Sequence, residues 1–140
     1  MSITISVILP TYNEKDNIGL LIDEINSYLS NNQIEIIVVD DNSPDGTSKI
    51  VEEKQKTNPN IQLLCRENKK GLTSALNDGI AKSTGEILVW MDCDFQMPPS
   101  IVPELVEKIG DGYDVAVGSR YVNGGKDLRY NQTIDHINLW

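Results

Sequence analysis

The sequence predicts an α/β protein, a mostly parallel sheet flanked by helices. Two observations carry the prediction. Short apolar runs rich in β-branched residues alternate with stretches whose apolar residues recur at helical spacing. Polar or acidic residues also gather directly after three of these runs, at residues 10–14, 40–47 and 92–96. In an open α/β sheet that is the side on which ligands bind.

The bulk properties narrow the classes. The 140 residues fit one domain, 1–140, with enough chain to bury a core. A net charge of -9 argues against a nucleic-acid binder, whose footprint is basic. It also makes an anionic substrate awkward unless a cation mediates. Cys65 and Cys93 lie in or beside apolar stretches without metal-type spacing and read as reduced core thiols. Met1 and Ser2 lead straight into a strand, with no signal peptide, and no run approaches the ~18 apolar residues of a membrane span.

Residues 3–9 (ITISVIL) form the first strand, stopped by Pro10. The loop that follows has no G-x-G-x-x-G. Asn13 with Asp16 resembles a capping pair, and Asn13 and Glu14 by themselves read as helix capping and dipole compensation. Ile18, Leu21, Ile22, Ile25 and Leu29 give that helix its apolar face. Residues 34–39 form the second strand and close on Asp40 and Asp41. An acidic residue there is placed to hydrogen-bond a nucleoside. Asp41, further past the strand, is the better candidate, and Asp40 can as easily orient local backbone. Ser43, Asp45 or Thr47 caps the next helix, which carries Ile50 and Val51 and is otherwise polar.

Residues 61–65 form the third strand, followed by the charged loop 66–70 (RENKK). Lys69 and Lys70 either attract a diphosphate or are simply solvated. Gly71 opens a helix carrying Leu72, Ala75, Leu76, Ile80 and Ala81, with Gly79 as its weak point. Residues 87–91 (ILVWM) read as a central strand buried on both faces. If the chain stays extended beyond it, Asp92, Asp94 and Gln96 share one face, and Cys93 and Phe95 point toward packing. Two carboxylates so placed lie roughly 7 Å apart and can share a divalent cation. A hard cation such as Mg²⁺ takes oxygen ligands and bridges to substrate phosphates. The alternative is a pair of solvated loop carboxylates. Pro98, Pro99 and Ser100 open a helix with Ile101, Leu105, Val106 and Ile109, closed by Gly110 and Gly112. Residues 114–118 (DVAVG) predict a further strand. Arg120, just past it, either grips phosphate through its rigid fork or makes a surface ion pair. After Val122 the pattern fades into a weakly amphipathic tail carrying Arg129, Thr133, Asp135 and a lone histidine, His136. The tail ends inside an expected helix, so the chain reads as truncated at its C-terminus.

Four stretches, LPTYNE (9–14), VDDNSPDGT (39–47), MDCDFQ (91–96) and GSRY (118–121), resemble the inverting family-2 glycosyltransferases. Within that family the chain looks most like the dolichyl-phosphate mannose synthase branch of polyprenyl-phosphate glycosyltransferases. The resemblance implies a GT-A (nucleotide-diphospho-sugar transferase) fold and a Mg²⁺ or Mn²⁺ cofactor. It implies transfer of mannose, or glucose, from GDP-mannose or UDP-glucose to a polyprenyl (dolichyl) phosphate. Carried over by position, Pro10, Tyr12 and Glu14 contact the nucleoside, Val39 joins the substrate-binding set, and Asp41 binds the base. Asp92 lies near ribose and metal. Asp94 and Gln96 help ligate the metal, and Asp94 also orients the reacting groups. Arg120 matches an arginine that meets phosphate in the active site. Arg129 and Thr133 match a downstream arginine and serine that hold the acceptor phosphate, with threonine replacing the serine. Cys93 stands where alanine is usual. Family members continue well beyond this length, so 122–140 is read as the incomplete start of an acceptor-side segment. The full-length protein is expected to be cytoplasmic, peripheral to or anchored on the cytoplasmic face of a membrane, although the net charge gives no support for a polybasic anchor. Two alternatives stand beside this reading: a nucleotide-sugar-binding module without turnover, and a family-2 transferase with a saccharide acceptor. A nucleotidyltransferase would need a Gly-rich phosphate loop after the first strand, which is absent.

Overall fold

The structure is a computed structural model that describes residues 3–127 and 132–133. It divides into two compact units, Met1–Pro103 and Glu104–Trp140. The first holds β1 (Thr4–Thr11), α1 (Ile18–Tyr28), β2 (Gln33–Asp40), α2 (Thr47–Thr57), β3 (Ile61–Cys65), α3 (Leu72–Lys82), β4 (Ile87–Trp90) and a 3₁₀ turn (Pro99–Ile101). The four strands make one sheet in the order β3-β2-β1-β4, with every pairing parallel. The chain winds outward from β1 to β3, then returns through α3 to set β4 on the other side of β1. The strand order therefore reverses between β1 and β4, the switch point at which such sheets open a crevice beyond their carboxyl ends. The predicted α/β class and parallel sheet are as observed.

Burial explains the strand composition. Ile5, Val7, Ile8 and Leu9 of β1 and Ile36, Ile37, Val38 and Val39 of β2 are all buried, as parallel strands covered on both faces require. On one face Ile8, Ile37 and Val39 pack with Ala75 of α3, flanked by Leu64 and Leu76. α1 buries Ile18, Leu21, Ile22 and Ile25 and packs on α2 and the 3₁₀ turn. Gly79 has a different role from the one its helix propensity suggests. A Cβ there would lie 2.5 Å from Ile8 Cγ2 and 3.3 Å from Val39 Cγ2, so its missing side chain is what lets α3 approach the sheet.

A polar clasp closes the opposite edge of the sheet. Glu35 Oε1 accepts from Ser6 Oγ and from both the amide and the hydroxyl of Thr84, and Glu35 Oε2 accepts from Gln62 Nε2. Gly85 N donates to Ser6 Oγ, and only glycine fits there, since a Cβ would stand 2.6 Å from the Ser6 amide nitrogen.

Several expectations are corrected. β4 is an edge strand of the described sheet, not a central one buried on both faces: Leu88 is 47% and Trp90 50% exposed. α3 lies over β1 and β2, which leaves that face of β4 uncovered. α1 starts at Ile18 with Asn17 before it, and Asn13 makes no cap but adopts φ 56 in the loop. Ile80, expected on the apolar face of α3, is exposed, and Cys65 is exposed where only Cys93 is buried. Residues 114–118 form no strand, and Val115 and Val117 are 74% and 77% exposed. Alternation states which residues share a face, but it does not supply an edge to pair with.

The second unit holds most of α4 (Val102–Gly110) and a two-stranded antiparallel pair, β5 (Lys126–Asp127) with β6 (Gln132–Thr133). Thr133 thus lies on β6, while Arg129, Asp135 and His136 lie outside the described residues.

Two outcomes follow for stability. Gly79→Ala gains about 1 kcal/mol of helix propensity but overpacks Ile8 by more. Denaturant melts should show it destabilised by about 1–2 kcal/mol, and a neutral or stabilised variant would refute the close approach. At Glu35, burial raises the carboxyl pKa, but hydrogen bonds from Ser6, Thr84 and Gly85 outweigh it and hold the value below the usual range. Its stabilisation is present above the ordinary carboxylate value and is lost as pH falls through the lowered one. Glu35→Gln should therefore flatten the acid limb of a stability-versus-pH curve while lowering stability at neutral pH.

Candidate functional site

The site is built on three neighbouring carboxyl ends, those of β2, β1 and β4. Asp40, the last residue of β2, is fully buried. Its carboxylate accepts from Thr11 Oγ1 (2.8 Å), Ser43 N (2.9 Å), Ser43 Oγ (2.6 Å) and Ser48 Oγ (2.9 Å). Four donors satisfy a charge that would otherwise be costly to bury. Asp40 is thus an organiser of local backbone, one of the two roles open to it from sequence.

The loop after β1 is held by the loop after β2. Three successive amides, Asn13 N, Glu14 N and Lys15 N, donate to Ser43 Oγ, Thr47 Oγ1 and Asp45 Oδ2 at 2.9–3.1 Å. Asp45 Oδ1 accepts from the amide and hydroxyl of Thr47, the first residue of α2, whose N-cap is Gly46 at φ 98 without a side-chain cap hydrogen bond. Ser43, Asp45 and Thr47, expected as caps of α2, instead bind the loop after β1. Glu14 Oε2 accepts from Asn17 Nδ2, and the Glu14 carbonyl accepts the amides of Asn17 and Ile18.

Asp41 is 8% exposed and lines a cavity of about 330 Å³ with Pro10, Thr11, Tyr12, Lys70, Gly71, Leu72 and Ala75. That volume is at the small end of ligand pockets. Asp41 Oδ1 accepts from Arg66 Nε at 2.7 Å and Nη2 at 2.5 Å, and Oδ2 accepts from Gly71 N at 2.8 Å. Lys70 Nζ lies 5.7 Å from the centre of the Tyr12 ring, so it stands at the cavity as well as in solvent. Val39 is buried in the core with Ile8 and Ala75, so its side chain is not on the cavity wall.

Beyond β4 the chain does not stay extended, so Asp92, Asp94 and Gln96 do not follow a strand face. Phe95 takes φ 60, and Asp94 Oδ1 accepts from Gln96 N at 3.0 Å. Asp side chains compete in this way with ladder geometry. Cys93 is buried, and its thiol donates to the Pro10 carbonyl at 3.5 Å, which ties this bend to the end of β1. Burial, with the charges of Glu14, Asp92 and Asp94, pushes the Cys93 thiol far up, so it stays protonated. Burial and the charge of Asp94 both push the Asp92 carboxyl above its usual range. A divalent cation shared by the two carboxylates would relieve both effects, and their hard oxygen atoms suit one. Among the described residues no group of three or more His, Cys, Asp or Glu is gathered for a metal. The oxygen donors of Asp92 and Asp94 are of the type a hard cation takes, and water or phosphate oxygens would complete its coordination.

Arg66 escaped the sequence reading, which saw only a charged loop. It is 7% exposed. The β2–β3 register holds the signal: Asp40 pairs with Cys65, so the next residues, Asp41 and Arg66, come out side by side. Arg120 belongs to the second unit, where Gly125 sits against its carbonyl.

Comparisons with known proteins agree with this architecture. The family model described as Glycosyl transferase family 2 matches residues 6–140. The chain is 44% identical over 122 residues to a dolichol-phosphate mannosyltransferase of Pyrococcus furiosus, covering 87% of this chain and 34% of that one. It is 39% identical over 127 residues to a dolichol-phosphate mannosyltransferase of Saccharomyces cerevisiae, covering 89% and 47%. It is 37% identical over 123 residues to a polyprenol monophosphomannose synthase of Mycolicibacterium smegmatis, covering 85% and 46%. The chain thus spans less than half the length of these curated relatives. Among solved structures, the mannosyltransferase PcManGT from Pyrobaculum calidifontis, in complex with GDP-Man and Mn²⁺, superposes with a TM-score of 0.69 at 30% identity, over 80% of this chain and 34% of that one. Glucosyl-3-phosphoglycerate synthase from Mycobacterium tuberculosis, with Mn²⁺, UDP and glucosyl-3-phosphoglycerate, gives 0.63 at 33% identity, over 76% and 39%.

The raised Asp92 carboxyl sets a pH signature. A group whose folded pKa lies above its unfolded value contributes stability fully below the unfolded value and loses it as pH rises through the folded one. In chelator, Asp92→Asn should be more stable than the parent near about pH 7.5, with the advantage fading toward about pH 4. Thermal melts across that range check this, and a pH-independent difference would rule it out.

Proposed function

The chain belongs to glycosyl transferase family 2 and has the GT-A fold, and from that premise we propose that it binds a nucleotide diphosphate sugar across the carboxyl end of β1 and serves transfer of the sugar, mannose first or glucose, to a polyprenyl phosphate. The observation that carries the reading is the pair of features flanking Pro10. On one side is the cavity with Asp41 on its wall, and on the other the bend with the destabilised Asp92 carboxylate. The nucleoside occupies the cavity. Pro10 and Tyr12 lie along the base and ribose, and Asp41 accepts a ring N–H of the base. Asp92 and Asp94 face the diphosphate, with Gln96 beside them. Relatives named for dolichol-phosphate mannosyl transfer and neighbours holding GDP-Man or UDP with Mn²⁺ support the assignment.

Asp92 and Asp94 would hold a Mg²⁺ or Mn²⁺ ion, which would supply charge to stabilise the departing diphosphate. An oxygen of the acceptor phosphate, already anionic, attacks the anomeric carbon as the bond to the diphosphate breaks. The nucleoside diphosphate leaves, and the anomeric centre inverts. No strong base is required, so the chain's residues contribute alignment and electrostatics. The Asp40 and Ser43–Asp45–Thr47 hydrogen bonds keep the Tyr12 loop in place for this. The roles of Arg120 on phosphate, and of Arg129 and Thr133 on the acceptor, rest on their match to the family's motif. A lipid-phosphate acceptor places the full-length protein at a membrane surface, on the cytoplasmic side where nucleotide sugars are found. Among the described residues no helix is long and apolar enough to cross a membrane.

Calorimetric titration of the chain with GDP and UDP, each with Mn²⁺ and with chelator, tests the site. One nucleotide should bind with metal, and Asp94→Ala should remove the metal-dependent part, about tenfold or more in affinity. A folded chain that binds neither nucleotide in Mn²⁺ would overturn the proposal. Sugar transfer to polyprenyl phosphate, scored against a saccharide acceptor, then tests the acceptor class.

A further inference from the structure

Four dipeptides in the chain place Asp or Asn directly before glycine: Asp45–Gly46, Asp78–Gly79, Asp111–Gly112 and Asn123–Gly124. Each can undergo one backbone reaction, attack of the glycine nitrogen on the side-chain carbonyl carbon of the preceding residue. Glycine, lacking a Cβ, hinders that attack least. In three of the pairs the fold ties up one or both reactants. Asp45 keeps both carboxylate oxygens in hydrogen bonds, from Thr47 N, Thr47 Oγ1 and Lys15 N. Gly79 lies inside α3, where its amide belongs to the helix ladder, and Asp78 accepts from Arg66 and Lys69. Gly112 N donates to the Ile109 carbonyl at 3.0 Å, and Asp111 pairs with Lys108 at 3.6 Å. Asn123–Gly124 differs on every count. Val122–Gly125 is a type II turn, closed by Gly125 N donating to the Val122 carbonyl at 2.8 Å, with Gly124 at φ 82. The turn engages the amide of Gly125 and leaves that of Gly124, which meets no acceptor among the described residues. Asn123 is exposed, and its side chain makes no hydrogen bond among the described residues. Nothing lies within 4 Å of the place where a Cβ on Gly124 would stand. An uncharged amide carbon, an unengaged nitrogen and open space thus meet at one point.

We propose that Asn123–Gly124 is a self-modification site, at which Asn123 deamidates through a succinimide and opens the turn that packs on Arg120. Gly124 N bonds to Cγ of Asn123, the Cγ–Nδ2 bond breaks, and the side-chain nitrogen leaves as ammonia, taking up the proton that Gly124 N sheds. Asparagine is thermally labile for this reason. Water then opens the five-membered imide. Opening at Cγ gives aspartate, and opening at the backbone carbonyl gives isoaspartate, in which the chain runs through the former side chain. Either product adds a negative charge, and isoaspartate also adds a carbon to the backbone inside the turn. Gly125 is where that extra atom is felt. A Cβ on Gly125 would collide with the Arg120 carbonyl, so the turn folds back directly on the Arg120 backbone. A lengthened backbone does not close the same Val122–Gly125 hydrogen bond, and Gly125 is released from Arg120. The inference stands apart from the nucleotide-binding reading.

The test is incubation of the folded chain in mildly alkaline buffer beside the same chain in guanidinium, followed by peptide mass spectrometry that separates aspartate from isoaspartate. The ratio of folded to denatured conversion at Asn123 should lie close to one. The three Asp–Gly pairs should form isoaspartate in guanidinium and not in the fold. Asn123→Gln, whose imide ring would be one atom larger, should lose the conversion at this position. Hydrogen exchange at the Gly125 amide should be faster in the isoaspartyl fraction than in Asn123→Asp, which carries the same charge on an unaltered backbone. A folded chain that keeps Asn123 intact while the denatured chain loses it overturns the site. Equal conversion of all four pairs in the fold overturns its selection by the structure. Equal exchange at Gly125 in the isoaspartyl fraction and Asn123→Asp overturns the opening of the turn.

Discussion

The carboxyl end of β1 is the point on which the rest of the structure depends. β1 is hydrogen-bonded in parallel to β2 on one side and β4 on the other, and its apolar side chains are buried on both faces. Parallel pairing sends all three strands out at one edge, in a register that hydrophobic burial requires: Thr11 beside Asp40, Ile8 beside Trp90. Asp41 and Asp92, far apart in sequence, therefore emerge on opposite sides of Pro10. The position of the proposed chemistry is a by-product of packing Ile5, Val7, Ile8 and Leu9.

The two acidic segments at that edge are in opposite electrostatic states. Asp40 and Asp41 are deeply buried and surrounded by donors, with Thr11, Ser43 and Ser48 on one and Arg66 and Gly71 on the other. Removing a partner from such a group leaves an uncompensated buried charge, so this half of the site is rigid by necessity. Asp92 has burial and the charge of Asp94 acting on it together, both against ionisation. The first half is complete within the chain and suited to holding a fixed shape against a base. In the proposed reading a cation would complete the second, and metal and diphosphate would arrive there together.

Much of this was legible in the sequence. Apolar runs and helical periodicity located β1, β2, β3, α1, α2 and α3, because those elements are specified by local patterns that tertiary contacts reinforce. The Asp-x-Asp and Asp-Asp segments pointed to the ligand edge because open α/β sheets bind ligands beyond the carboxyl ends of their strands. The misreadings share one cause. Val115 and Val117 alternate like a strand but pair with no edge among the described residues, Leu88 and Trp90 are apolar but uncovered, and Gly79 looked like a flaw in α3 until Ile8 stood 2.5 Å from its absent Cβ.

By itself, then, the sequence determined the fold class, the order of the elements and the acidic residues that mark the ligand edge, since each is encoded in residues close together in the chain. Only the tertiary structure decided that Arg66 holds Asp41, that Ser43, Thr47 and Asp45 hold the Tyr12 loop, and that Asp92 rather than Asp41 is left electrostatically unsatisfied. Those are facts of strand register and burial. The first two join residues about 25 to 33 positions apart, and no local pattern carries them.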